Sequence, residues 1–329
     1  MIDVHHFKNL LSTYRGYLMG ISILWIMFHH IGFFGLYDFG GFADFIIKLG
    51  SCGVDVFLVL SSFGLYKSLS HNSSLTRFYK RRIIRIIPPF VIIVSSFRIK
   101  HLIDLFSFSF WKYELLYNNW FISFILIAYI LFPFIYKIQK KYLWLPFVLS
   151  CVISLVGTVL LITYNMDDIH QIPMLMVQRM PVFCMGSLVA DNRFRLPVKH
   201  VFLLLFAILF AIYLSFSMKV EYLIYPLYLF LMIPLLYCLS SLMEKTVMDK
   251  TFLANTHMLV GWVNYCGAIT LEIYLVHMKI IPILVHHKMD GLFGVLIVFA
   301  SSILLASIFH RVLNISSNRL KTTFINKKL

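Results

Sequence analysis

What most limits this chain is a succession of apolar runs, each close to bilayer length, joined by short polar links. They read at 17–36, 50–68, 83–97, 119–137, 142–164, 172–190, 198–217, 221–243, 264–285 and 291–312. Crossing the hydrocarbon core takes about 20 apolar residues, so runs of this length read as helices. The expected fold is therefore all-α: a polytopic membrane bundle of about ten transmembrane helices. The third run is short and carries Pro88 and Pro89, so it should kink, break or tilt. Composition agrees, with 60% hydrophobic and 13% charged residues, where soluble domains carry about half and a quarter. No repeat or low-complexity tract interrupts the pattern, so residues 1–329 read as a single membrane domain. No cleavable leader is expected in the polar opening stretch.

A net charge of +15 could suggest nucleic acid, but the positions of the charges argue against it. With the N-terminus inside, 21 of the 29 Lys and Arg residues fall on cytoplasmic segments, 7 fall outside, and one, Arg179, lies within a span. That three-to-one bias fixes both termini in the cytoplasm and explains the basic excess by topology. Membrane lipids, and no nucleic acid, are the expected surroundings. The longest outer link, 98–118, is amphipathic and suits the membrane surface. Cys52, Cys151, Cys184, Cys238 and Cys266 are scattered without metal-ligand spacing, so free buried thiols and no metal are expected.

Ionisable residues at membrane depth are costly and mark function by default. His29 and His30 close the first run. Fifteen residues separate Arg15 from His30, about 22 Å of helix, which puts His30 in the outer third of the bilayer. Asp55 enters the second run at a similar depth, and the simplest pairing is His30 with Asp55, the carboxylate fixing the imidazole. His277 should reach the same level on a late span. Glu272, five residues before it, faces elsewhere and is free to neutralise an arginine such as Arg179. Trp120 opens the fourth run from outside, where an indole anchors at the interface or stacks on a sugar ring; His29 stands beside it as a second acceptor-side group.

The cytoplasmic mouth has a different chemistry. In RFYKRRIIRIIPPF the first charges are ordinary positive-inside anchors, but Arg82 and Arg85 share a helical face, with Arg81 next to them. Paired guanidiniums fork phosphate oxygens. A phosphate site at the mouth and a histidine site about 15–20 Å above it call for a long, thin donor. Coenzyme A has that form.

The motifs, in order, resemble the acyltransferase-3 family of integral-membrane acyltransferases. They are Gly20-Ile21…His30, GVDVFLVLSSFGL at 53–65, Phe78/Arg81/Arg82/Arg85/Pro88, Trp120/Tyr129/Pro133, Arg179 to Gly186, and TLEIYLVH at Thr270 to His277. The resemblance implies acetyl-CoA, or another acyl-CoA, as cytoplasmic donor, and a sugar hydroxyl of a cell-surface or lipid-linked polysaccharide as acceptor. It implies a multi-pass protein of the bacterial inner membrane, here without the SGNH hydrolase-like domain some members carry. It makes His30 the essential histidine and places Arg81, Arg82 and Arg85 at the donor site. From their depth, Asp55, His277 and Glu272 are expected as further catalytic residues and Arg179 as a further donor-site arginine. The family often has an arginine where this chain has Met19, and Arg15, one turn earlier, is placed to substitute. The carboxylate often found shortly after the tryptophan is absent, Ile125 and Leu126 standing there. His30 would act as general base or as transient acyl carrier. The competing reading is a transporter or flippase of a lipid-linked glycan or small acyl metabolite, although no inverted repeat is visible.

Overall fold

The computed structural model describes residues 4–164, 168–195, 201–217, 224–248 and 250–326. Among these, every regular element is helical. An amphipathic α1 (Val4–Thr13) precedes the long apolar α2 (Arg15–Phe33). Then come α3 (Gly41–Lys48), a 3-10 turn at Leu49–Cys52, α4 (Gly53–His71) and α5 (Leu75–Ser96). The outer link folds as a 3-10 segment (Ile99–Phe106), α6 (Phe108–Tyr113) and a π-helical turn (Glu114–Asn118). There follow α7 (Trp120–Lys141), α8 (Leu145–Tyr164), α9 (Asp168–Ala190), α10 (Val201–Ser217), α11 (Ile224–Met248), α12 (Lys250–Ala268), α13 (Thr270–His286) and α14 (Gly291–Asn326).

Within the described residues the expected runs are almost wholly helical, and Leu155, Phe206, Phe230 and Leu296 stand exposed where lipid would cover them. The chain is a multi-pass helical membrane bundle. Among the described residues, fewer than ten helices are long and apolar enough to cross alone. Arg15–Phe33, Gly41–His71, Trp120–Lys141, Leu227–Thr246 and Gly291–Asn314 are long and apolar enough to cross alone; a sixth is added if a bent pair counts as one. That pair, Met258–Ala268 and Thr270–His286, turns by 81°, so the run read at 264–285 is two helices meeting at Ile269. The third run differs in the opposite sense. Helix continues through Pro88 and Pro89, so of the expected kink, break or tilt the chain is not broken there. Leu145–Leu160, Leu175–Ala190 and Leu204–Ser215 are apolar but shorter. Of the loop charges used for the topology, Lys199, Lys219, Lys327 and Lys328 lie outside the described residues. On the outer link, Ile103, Phe106 and Phe108 are almost wholly exposed, which fits a segment resting on the membrane surface. All five cysteines are free.

Small residues set the closest packings, as is usual where lipid removes the hydrophobic drive between helices. A Cβ on Gly20 would run into the Val263 carbonyl, and one on Gly267 into the Gly16 carbonyl. Thus α2 and α12 touch backbone to backbone. A Cβ on Gly186 would strike Val59 and Ser62, so α9 lies directly on α4. Seven residues earlier on both helices, Arg179 meets Asp55. The equal spacing makes α4 and α9 a parallel pair in register.

On the cytoplasmic side a polar knot ties five helices together. Lys8 Nζ of α1 donates to the Asp191 carbonyl at 2.7 Å, and the Tyr66 hydroxyl of α4 donates to the Asp191 carboxylate at 2.7 Å. Arg193 clasps the same carboxylate and also donates to the Gln139 and Lys140 carbonyls at the end of α7. His6 reaches Glu244 of α11. Burial alone would raise the Asp191 carboxyl, but the hydrogen bonds from Arg193 and Tyr66 prevail and hold it well below the ordinary range.

Candidate active site

The helices α2, α4, α5, α9, α13 and α14 bring the ionisable residues to two levels. At the outer level, His30 near the end of α2 faces His277 of α13, with His30 Nδ1 2.8 Å from His277 Nε2. The rings lie 5.1 Å apart, centre to centre, and nearly parallel. His277 is fully buried. Its Nδ1 is 2.7 Å from the Ile273 carbonyl one turn earlier, and the Tyr274 ring closes over it edge-on at 5.8 Å. His29 points elsewhere: its ring stacks on Phe33, and its Nδ1 is buried without a hydrogen-bond partner.

Asp55 is buried at this level, but it does not hold His30. Its carboxylate takes a 2.7 Å hydrogen bond from Arg179, and the Arg179 guanidinium lies 5.5 Å over the Trp120 ring. The expected His30–Asp55 pairing is corrected here, and the physical reason is charge. A buried carboxylate is far better compensated by a guanidinium than by a neutral imidazole, and Gly186 lets α9 come close enough to supply one. The same contact removes Arg179 from the donor arginines, because its charge is spent on Asp55. Trp120 is correspondingly the lid of this ion pair.

Glu272 is also reassigned. It pairs with His310 of α14 at 2.7 Å and, among the described residues, with no arginine. His310 Nε2 in turn takes a 2.9 Å hydrogen bond from Asn314. His277 and Glu272 thus face different neighbours, as their spacing requires. Three residues invisible to sequence reasoning as partners are His310, Glu114 and Lys279. Glu114, wholly buried, meets Lys279 at 2.6 Å and receives Asn118 and Asn119. It pins the outer link to α13 two residues beyond His277. Lys279 had read only as an outer loop charge, and nothing in the local sequence announces its partner.

The inner level is a narrow cleft of about 100 Å³. Its cationic wall is Arg15, Arg82 and Arg85; Met19, Ser61, Gly64 and Tyr129 line it alongside, and Phe121, Thr270, Leu271 and Tyr274 form its far side. No carboxylate lines it. The Nε atoms of Arg15 and Arg82 are buried and lack a hydrogen-bond partner. Arg82 lies over the Phe78 and Tyr129 rings. Gly64 makes room for Arg15: a Cβ there would sit 3.1 Å from its Nη1. Arg15 therefore reaches the place facing Arg82 and Arg85, and Met19 lines the same cleft without a charge. Arg81 is exposed and does not line it.

The levels are continuous. Tyr274 lines the cleft and lies only about 4.5 Å of helix rise below His277. A cleft walled by three arginines thus leads along α2 and α13 toward half-buried His30 and buried His277. Residues 17–311, nearly the whole chain, match the acyltransferase domain of the acyltransferase-3 family. The chain belongs to that family. It is a membrane acyltransferase, and the transporter reading falls. Neither the curated proteins nor the solved structures contain a match to this chain.

Proposed function

We propose that this acyltransferase takes an acetyl group, or a related acyl group, from cytoplasmic acyl-CoA. It passes the group to a hydroxyl of a sugar on a cell-surface or lipid-linked polysaccharide, working as an O-acetyltransferase of the bacterial inner membrane. The observation that carries this reading is the cleft: three arginines, no carboxylate, and a path to His30 and His277. Guanidiniums left without counter-ions in a confined space favour a polyanion, and the forked geometry suits phosphate. Arg15, Arg82 and Arg85 would hold the phosphates, with Arg81 assisting from the surface. The pantetheine arm would run past Met19 and Phe121 toward Tyr274. At the outer level His30 Nε2 accepts the proton of the sugar hydroxyl as its oxygen attacks the thioester carbonyl. The carbon–sulfur bond breaks, and the departing thiolate takes the proton back from His30. No metal enters this chemistry. The Trp120–Arg179–Asp55 stack shapes the outer wall near the acceptor.

The test is transfer of labelled acetyl from acetyl-CoA by purified protein in bilayer discs, with mass spectrometry of surface glycans from cells with and without the gene. General acid–base catalysis contributes on the order of 10²–10⁴. His30→Ala should therefore reduce transfer at least that far while membrane abundance stays normal. Loss of activity in His29→Ala with His30→Ala spared would place the reaction on the other imidazole.

A further inference from the structure

The hydrogen-bond chain at the outer level runs in one direction only. His277 Nδ1 lies 2.7 Å from a carbonyl oxygen, which can only accept, so that nitrogen carries the hydrogen. His277 is fully buried and, among the described residues, no carboxylate hydrogen-bonds to it; a charged ring there would have no counter-ion. The ring is then neutral, and its Nε2 is a bare lone pair. The nitrogen 2.8 Å away, His30 Nδ1, must supply the hydrogen to that lone pair. His30 in turn has only one hydrogen in its neutral state, and it is spent on Nδ1. Its Nε2 is left bare.

We propose that His277 is a positioning residue that fixes His30 in the Nδ1–H tautomer and so presents His30 Nε2 as the base. Its work is done through a main-chain carbonyl, where a carboxylate might have been expected. A carbonyl orients as well as a carboxylate does, but it adds no negative charge to an already buried site. When His30 takes the hydroxyl proton on Nε2, its Nδ1–H bond to His277 strengthens, and no second proton has to move. The other rings facing the pair are His29, 5.5 Å from His30, Phe34 beside His30, and Tyr274 against His277; none offers His30 Nδ1 an alternative acceptor.

The catalytic consequence rests on the acyl-transfer reading above, but the tautomer does not, so two measurements are paired. The first is ¹⁵N spectroscopy of full-length protein labelled at histidine in bilayers, with signals assigned by comparison with His30→Gln and His277→Gln. The expected result is Nδ1–H and bare Nε2 on both rings. A His30 signal protonated at Nε2 overturns the proposal, whatever the enzyme's substrate.

The second measurement is steady-state acetyl transfer by two variants at 277. In His277→Gln the amide oxygen can still accept from His30 Nδ1–H near the old Nε2 position. In His277→Leu it cannot. The expected outcome is a kcat lowered on the order of a hundredfold in His277→Leu, mostly restored in His277→Gln, with KM for acetyl-CoA unchanged in both. Equal losses in the two folded variants, or an effect confined to KM, would reduce His277 to packing and overturn the proposal. Wild-type protein that transfers no acetyl at all would fail the functional reading instead, with the spectroscopic test still deciding the tautomer.

Discussion

The outer and inner levels of this bundle hold similar residues and treat them in opposite ways. Outside, each buried carboxylate is matched: Asp55 by Arg179, Glu114 by Lys279. Inside, Arg15 and Arg82 have buried Nε atoms without a hydrogen-bond partner and line a cleft with no acid in its lining. Since an uncompensated charge is expensive to bury, a matched pair is architecture, and an unmatched cluster is a site waiting for an anion. The comparison gives matched and unmatched arginines different predicted phenotypes, although the residue type is the same.

The largest effect should come from breaking a matched pair. Arg179→Met leaves Asp55 buried alone and should cost about 3–5 kcal/mol of stability, read by thermal unfolding in detergent. Asp55→Leu combined with Arg179→Met should recover much of that loss. If the double variant is as unstable as the single, the pair is not the unit described here. The unmatched arginines should behave in reverse. Arg15→Lys or Arg85→Lys keeps the charge but loses the fork, and a charge-assisted hydrogen bond is worth about 1.5–3 kcal/mol. The apparent KM for acetyl-CoA should rise roughly ten- to a hundredfold by that measure, with the unfolding midpoint unchanged. An unfolding midpoint that fell with KM constant would make these arginines structural.

Smaller shifts sharpen the same contrast. Gly64→Ala pushes only the flexible end of Arg15, by a few tenths of an ångström, so KM for the donor should rise by a factor of about 2–5, less than 1 kcal/mol. No change would mean that Arg15 is not fixed by its contact with α4. The smallest effect on activity belongs to the cytoplasmic knot. The Asp191 carboxyl is lowered in the folded protein; its stabilisation is present above its unfolded value, about 3.9, and fades as pH falls below that. Unfolding followed from pH 6 down to pH 2 should show this loss in wild type and not in Asp191→Asn, with transfer at neutral pH little altered.

Depth was legible in the sequence; azimuth was not. Counting residues along each run put His30 and His277 at one level and gathered Arg15, Arg82 and Arg85 at the other. Which side chain meets which depends on how helices rotate against one another, and that is set by Gly16, Gly20, Gly186 and Gly267. In a single sequence each of these is one more small apolar residue. Asp55 was therefore given to the wrong partner, although its burial was right. The helix α12 escaped for a compositional reason: KTFLANTHMLVGWVNYCGA carries Asn255, His257 and Asn264 and lacks the unbroken apolar run that marks a span. At Pro88 and Pro89 the sequence left kink, break and tilt open, and the packed helix runs through both prolines without a break.

The glycine contact between α2 and α12 has a mechanical consequence. With Gly20 on the Val263 carbonyl and Gly267 on that of Gly16, the two backbones meet directly at both contacts, so α2 is a clamped rod bearing Arg15 near its base and His30 near its tip. It behaves as a ruler. The backbone rise from Arg15 to His30 is about 22 Å, shortened by the reach of the Arg15 side chain beside Gly64, so on the proposed reading a donor held by its anion at Arg15 needs an extended arm to bring its acyl group to the imidazole. The ruler is also phased: one residue inserted between Gly20 and His30 would lengthen it by only about 1.5 Å yet turn His30 by about 100°, away from His277, leaving the distance nearly right and the direction lost.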